Sequence, residues 1–282
     1  MPSITAQVSN LFQKLSPGQQ KVALFIHDNA GHICFLSASQ LAEKIGVSNA
    51  TVSRFVRMLG YPDYGAFRQA LASETMAGRS TATRLAESAE EADRNGGIPE
   101  NVFSQDIKNI VSLRETIHSQ PFEQAVFCLS RARRIYILGL RSTFSLAYYL
   151  AFYLRFFLTN VVLIELGRGN YTEEFIEANE EDALVAVSFH RYTRQTVELQ
   201  KSIKDLGPMV IGISDSQLSP IAAASDISLT TPVFLPTYFE SLTAPMSLIN
   251  ALLAAVALQM HTEAMPALNR LELTLDVLNI YC

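Results

Sequence analysis

A chain of 282 residues has room for two domains, and 49% hydrophobic against 17% charged residues excludes a disordered protein. The net charge of −5 excludes a protein that coats nucleic acid over its whole surface, yet the charge is uneven. Residues 1–80 carry a net +3 and the rest a net −8, a mildly basic head on an acidic body, which suits site-specific DNA binding.

The elements are read in chain order. Val8, Leu11, Phe12 and Leu15 begin an amphipathic helix. The Leu15-Ser16-Pro17 turn starts another, with Pro17 near the first helical position and Val22, Leu24, Phe25 and Ile26 as core. From Ser37 to Gly60 the pattern predicts two short helices at a tight turn. Leu41, Ala42 and Ile45 form one apolar stripe, and Gly46 suits the left-handed end of that helix. Val47 plugs the angle and Ser48 caps the next helix. That helix turns Val52, Phe55, Val56 and Leu59 inward and shows Asn49, Thr51, Ser53, Arg54 and Arg57 outward. Ser48, Asn49, Thr51, Ser53, Arg54 and Arg57 are therefore the candidate DNA contacts of a helix-turn-helix whose second helix enters the major groove.

After Gly60-Tyr61-Pro62-Asp63-Tyr64-Gly65 comes a helix with Phe67 and Leu71, then a small-residue, polar linker from about Met76 to Gly97. Pro99 starts a helix with Phe103, Ile107, Ile110 and Ile117 at helical spacing, and a shorter helix runs near Pro121 to Ser130. From Arg134 the texture changes. Residues 135–139, 161–164, 183–187, 209–213 and 227–229 are short branched runs separated by helical segments, and a long apolar helix follows from about Ala244 to Met260. Strands buried on both faces and joined by helices imply a doubly wound parallel sheet, so the fold class expected is α/β behind an all-helical head. The run from Phe144 to Ile164 is broken by Arg155, Thr159 and Asn160, and reads as a buried helix and a strand rather than a membrane span. Cys34, Cys128 and Cys282 are unclustered, which fits a reducing compartment and no zinc site. With no charged-then-apolar signal segment, the expectation is a cytoplasmic protein needing no metal or cofactor and touching no membrane.

Ligands of such sheets bind at the C-terminal strand ends, beside helix N-termini that attract anions. Three loops qualify: Gly139 to Thr143, Ser188 to Thr196, and Ser214 to Pro220. Ser and Thr after a strand are also ordinary N-caps, so the second loop is the more pointed, with His190, Arg191 and Arg194 in five residues. The candidate ligand residues are Arg141, Ser142, Ser188, His190, Arg191, Thr193 and Arg194, with Ser214 and Ser219 near the rim.

On Leu41-Ala42 through Val52-Ser53-Arg54-Phe55, Leu59-Gly60-Tyr61 with Phe67, Ile213-Ser214-Asp215, Ser219-Pro220-Ile221-Ala222 and Asp226, the chain resembles the RpiR (MurR/RpiR) family of bacterial transcriptional regulators. The resemblance covers almost the whole chain. It implies an N-terminal helix-turn-helix domain (1–78), a linker (79–98), connecting helices (99–131), a sugar isomerase (SIS)-like sensing domain (132–270) and a C-terminal tail (271–282). It also implies a phosphosugar effector and homodimers or homotetramers on palindromic double-stranded operators. Two loops depart from the family pattern. Arg141 stands near the second glycine of G-x-G-x-S, and His190 and Arg191 replace the inner Ser and Gly of S-x-S-G-x-T. The expected function is a DNA-binding regulator that senses a small anionic metabolite, a phosphosugar or another anion such as a carboxylate. The alternatives are a sugar-phosphate isomerase, for which Glu240 and His190 are the only candidate bases, and a DNA-binding scaffold that has lost its ligand. No residue sits in a catalytic motif.

Overall fold

The computed structural model describes residues 4–12, 15–33, 36–77, 81–85, 97–168, 171–235 and 237–281. Cys34 and Cys282 lie outside these residues. The chain divides into two compact units, Met1–Val102 with Phe234–Phe239, and Phe103–Val233 with Glu240–Cys282.

The first unit is helical: α1 (Ile4–Leu11), α2 (Pro17–Ile33), α3 (Ala38–Ile45), α4 (Asn49–Met58), α5 (Tyr64–Ala77) and the helical residues 81–85 (α6). Pro17 opens α2, where its missing N–H is no loss. Ile4, Val8, Val22, Ile26, Leu41, Val52, Phe55, Val56, Phe67 and Leu71 make one core. Leu24, expected inside, is 53% exposed, because the face of α2 that turns inward carries Val22, Ala23, Ile26 and Ile33.

The second unit holds most of α7 (Ile98–Thr116), then α8 (Ser119–Arg131), β1 (Ile135–Gly139), α9 (Phe144–Leu154), β2 (Val161–Leu163), β3 (Ala183–Val187), α10 (Arg194–Lys204), β4 (Met209–Ser214), α11 (Pro220–Ala223), β5 (Ile227–Thr230), α12 (Thr243–Gln259) and α13 (His261–Val277). The strands form one parallel sheet in the order β2-β1-β3-β4-β5. Each fully buried strand alternates between two cores, as period-two geometry requires. Ile135, Ile137, Val185, Val187, Ile211 and Ile213 pack with α8, α9 and α12, while Tyr136, Leu138, Leu184 and Val210 pack with Leu199 and Ile203 of α10. Burying each such side chain contributes roughly 1.5–3 kcal/mol.

The helices after β1 and β3 thus cover opposite faces, and the chain order reverses between these two adjacent strands. That is the topological switch point, where a crevice opens at the strand ends. Gly139 makes it tight: a Cβ there would lie 2.7 Å from the Thr143 carbonyl oxygen and 2.9 Å from Ala147 Cβ, so α9 starts directly on the end of β1.

Between β5 and α12 the chain contributes residues 234–239 to the helical unit, where Phe234 packs on the core and Arg84, buried, donates to the Phe239 carbonyl at 3.1 Å. One expectation needs correction. A tail beginning at 271 would cut a single helix, since α13 runs unbroken through Val277. On α12, Leu248, Ile249, Leu252 and Val256 are buried against the sheet. Among the described residues no single helix is long and apolar enough to cross a membrane, and α12 and α13 meet at a bend of 105°.

Candidate functional site

The reader is built from local chemistry. Ser37 and Gln40 bond each other's backbone N–H at 3.2 and 2.9 Å, a capping box that starts α3. Gly46, at φ 71°, ends α3 in the left-handed conformation, and Val47 N–H returns to the Ala42 carbonyl at 2.9 Å. Ser48 then caps α4 by accepting from Thr51 N–H at 3.2 Å. Val52, Phe55 and Val56 are wholly buried, which fixes the roll of α4 and turns Asn49, Ser53, Arg54 and Arg57 away from the core. Arg54, Arg57 and Asn49 are exposed. Ten residues give a helix of about 15 Å, a length that fits along a major groove.

Two of the expected DNA contacts have structural duties. The Ser48 hydroxyl is held by its cap and lies 2.9 Å from Thr51 Oγ1, and the Thr51 methyl sits against Gly18 at the start of α2. Asn49 Nδ2 donates to Ser39 Oγ at 3.3 Å, a weak exposed bond that a base edge can replace.

At the switch point the loops are laced together. Thr143 Oγ1 bonds the Leu140 carbonyl at 2.8 Å and the Val187 carbonyl at 3.0 Å, tying the β1 loop to the end of β3. Ser214 Oγ donates to the Ser188 carbonyl at 3.0 Å, tying β3 to β4. The Tyr192 hydroxyl donates to Asp215 Oδ1 at 2.8 Å, and burial followed by the Asp215 charge pushes the phenol's pKa well up, so it stays a donor. Two residues of this scaffold have side chains in a conformation that favours glycine. Arg141 has φ 58° and Arg191 φ 63°, and both side chains are exposed. Left-handed backbone costs a non-glycine residue roughly 1–2 kcal/mol, so the laced loops impose it.

Thr143 at α9 and Thr193 at α10 make no side-chain cap bond; residues 141–143 form a 3-10 turn that leads into α9, whose first N–H, that of Phe144, returns to the Arg141 and Ser142 carbonyls, and at α10 the Thr196 N–H bonds the Thr193 carbonyl at 3.0 Å. Ser142 and Arg194 are exposed, and His190 and Thr193 are half-buried. The sheet register places Gly139 beside Val187, so Arg141, Ser142, His190, Arg191, Thr193 and Arg194 stand on neighbouring strand ends. The other expected ligand residues are not on this rim. Ser188 is buried, Ser214 is buried in its bonds to the Ser188 carbonyl and Asp215, and Ser219 is the buried N-cap of α11, accepting from Ala222 N–H at 2.9 Å. The sequence reading missed Thr143, Tyr192 and Asp215, whose bonds join residues 23 to 44 apart. Asp226 is likewise structural, accepting from Val210 N–H at 2.9 Å and from Lys204 Nζ at 2.6 Å.

Known proteins match both parts. Residues 3–78 match the helix-turn-helix domain of the rpiR family, and residues 128–255 match the SIS domain. The chain is 25% identical over 280 residues to the HTH-type transcriptional regulator HexR of Pseudomonas aeruginosa, covering 96% of this chain and 95% of that protein. Among solved structures, the sugar isomerase domain of an RpiR transcription factor from Sphaerobacter thermophilus is 23% identical, with a TM-score of 0.59 over 62% of this chain and 98% of its own. The Vibrio vulnificus NanR protein complexed with ManNAc-6P is 18% identical, with a TM-score of 0.58 over 97% of this chain and 98% of its own. At these identities the solved structures bear on the fold alone.

Proposed function

We propose, from the premise that this chain belongs to the RpiR family of helix-turn-helix transcriptional regulators with an SIS domain, that it reads an operator with α4 and adjusts that reading to a small anion held at the switch point. The observation that carries the proposal is the pairing of a fixed, cation-bearing outer face on α4 with an arginine-rich crevice between uncapped helix ends. Arg54 and Asn49 reach base edges and Arg57 a phosphate. The anion is held by the N–H groups opening α10 and by Ser142, Thr193, Arg191 and Arg194. NanR was solved with ManNAc-6P, which supports a phosphate-bearing effector.

One helix-turn-helix reads only a few base pairs, so the protein acts in the cytoplasm as a homodimer or homotetramer on a two-fold operator. Phe103, Ile107, Ile110 and Val111, exposed along α7, support such pairing. The isomerase reading is not favoured, because the relative matched over nearly the whole chain is named as a regulator. A ligand shifts operator affinity only by its different affinity for the two forms of the protein. The test titrates phosphosugars into the full-length protein bound to a duplex selected from a random pool. At least one should change the half-saturation for DNA severalfold. Uniform indifference, with the same sugars failing to shift the melting temperature, contradicts a sensing role.

A further inference from the structure

Apolar residues lie all round α13, yet of its 17 residues only Ala264 is buried. None of its side chains joins the cores of either unit. One stripe, Ala264, Leu268, Leu271 and Leu275 at i, i+4, i+7 and i+11, is buried or half-buried. The opposite stripe at the same spacing, Pro266, Arg270, Leu273 and Val277, is exposed, with Leu273 at 66% and Val277 at 79%. A helix that is apolar all round belongs inside an assembly. The same unit carries an open groove of about 1100 Å³ between α8, the starts of β4 and β5, and the end of α12. Phe122, Val126, Phe127, Met209, Ile227 and Leu258 wall it, and Phe127 and Leu258 are exposed. It lies at the beginnings of the strands, the far end of the sheet from the crevice. Of its two carboxylates, Asp226 is already bound by Lys204 and the Val210 N–H. Glu123 is exposed, and so is Arg270, the one Lys or Arg of α13; among the described residues neither has an ion-pair partner.

We propose that this groove receives α13 of a second copy of the chain, in a two-fold exchange that seats the Leu273 and Val277 stripe on the groove's apolar walls and sets Arg270 beside Glu123. This rests on the reading that the protein is a homo-oligomer, and it is independent of the crevice. The chain path names a second copy as the occupant. Leu258 and Gln259 at the end of α12 line the groove, and α13 starts at His261 after a bend of 105°, so each arm leaves from the rim of its own groove. A two-fold axis at that rim carries each arm into the other copy's groove, the closed arrangement of an isologous pair. The charges agree, since the arm brings a cation to a groove that holds an unpaired carboxylate. The size agrees as well. A helix of 17 residues is about 25 Å long and about 10 Å across, so sinking half of it buries about 400 Å² of arm and as much of groove. Two exchanges reach the roughly 1,600 Å² of a stable interface.

The test is sedimentation velocity of the full-length protein over a concentration series. Leu273→Lys with Val277→Lys, at two exposed positions, should halve the mass of the assembly while the protomer stays folded. Arg270→Glu alone and Glu123→Arg alone each set like charges together in both grooves of a pair, and each should weaken association at least about tenfold. Mixing those two variant proteins in equal amounts should restore association to within about threefold of the unaltered protein, because each arm then meets a groove of opposite charge. A contact made within one chain gains nothing from mixing. An unaltered protein that stays a monomer overturns this inference and the homo-oligomer reading together. An unaltered oligomer whose mass survives the two lysines overturns this inference alone. A mixture that associates no better than its components does the same, since the arm then seats elsewhere.

Discussion

The turn of the DNA reader and the loops of the sensing crevice treat backbone conformation in opposite ways. At the reader's turn, Gly46 fills the left-handed position, and Ser37 and Ser48 satisfy the helix starts with side-chain bonds. At the crevice, arginine fills the left-handed positions and the helix starts are left uncapped. The first region follows local rules because it must only hold a shape. The second breaks them where long-range bonds from Thr143, Ser214 and Tyr192 can hold the loops. Broken local rules of this kind collect at functional sites.

The contrast can be broken most forcefully at the reader's core. Phe55→Ala removes a wholly buried ring from beneath α4 and should cost about 3–5 kcal/mol, read by chemical denaturation of the helical unit, with operator binding lost. An unchanged midpoint would show that α4 is not positioned from below. Ser48→Ala should cost about 1 kcal/mol, because its cap bond to Thr51 N–H goes unreplaced. Thr193→Ala at the corresponding place on α10 should leave stability within about 0.5 kcal/mol, since no cap bond is lost there. Equal costs would erase the distinction between the two regions. Arg191→Gly should stabilise by roughly 0.5–1 kcal/mol, the relief of strain less the added freedom of the unfolded chain, seen as a higher melting temperature. The smallest effect is chemical. Burial, then the charge of Asp226, pushes the Cys128 thiol up to about 11. Its unfolded counterpart ionises first as pH rises, so this thiol's contribution to stability is whole below about 9 and fades towards about 11. At pH 8, mapped iodoacetamide labelling of Cys128 should be slower in the folded than in the unfolded chain.

The reader was legible in sequence because its determinants are local: Leu41, Gly46, Ser48, Val52, Phe55 and Val56 lie within 16 residues and define the turn and its two inner stripes. The five strands were legible because branched runs buried on both faces stand out from their flanks. The crevice was half legible. The loops and their arginines follow from strand ends, but whether a hydroxyl after a strand faces outward depends on its neighbours. Ser214 and Ser219 turned inward because the Ser188 carbonyl and the Ala222 N–H needed partners. No spacing rule joins Tyr192 to Asp215 or Thr143 to Val187, and these bonds define the crevice. Leu24 was misjudged for a related reason: the consecutive apolar residues 22–26 lie all round α2, so periodicity alone does not say which side is covered.

The most direct test of the reader measures the fluorescence anisotropy of a labelled duplex selected by the protein itself, against a scrambled duplex, for the unaltered chain and Arg54→Ala. The account predicts that the unaltered protein prefers the selected duplex and that Arg54→Ala loses about 1–3 kcal/mol on it with little change on the scrambled one. Arg54→Ala binding both duplexes as the unaltered protein does would contradict the assignment of α4 as the element that reads the operator.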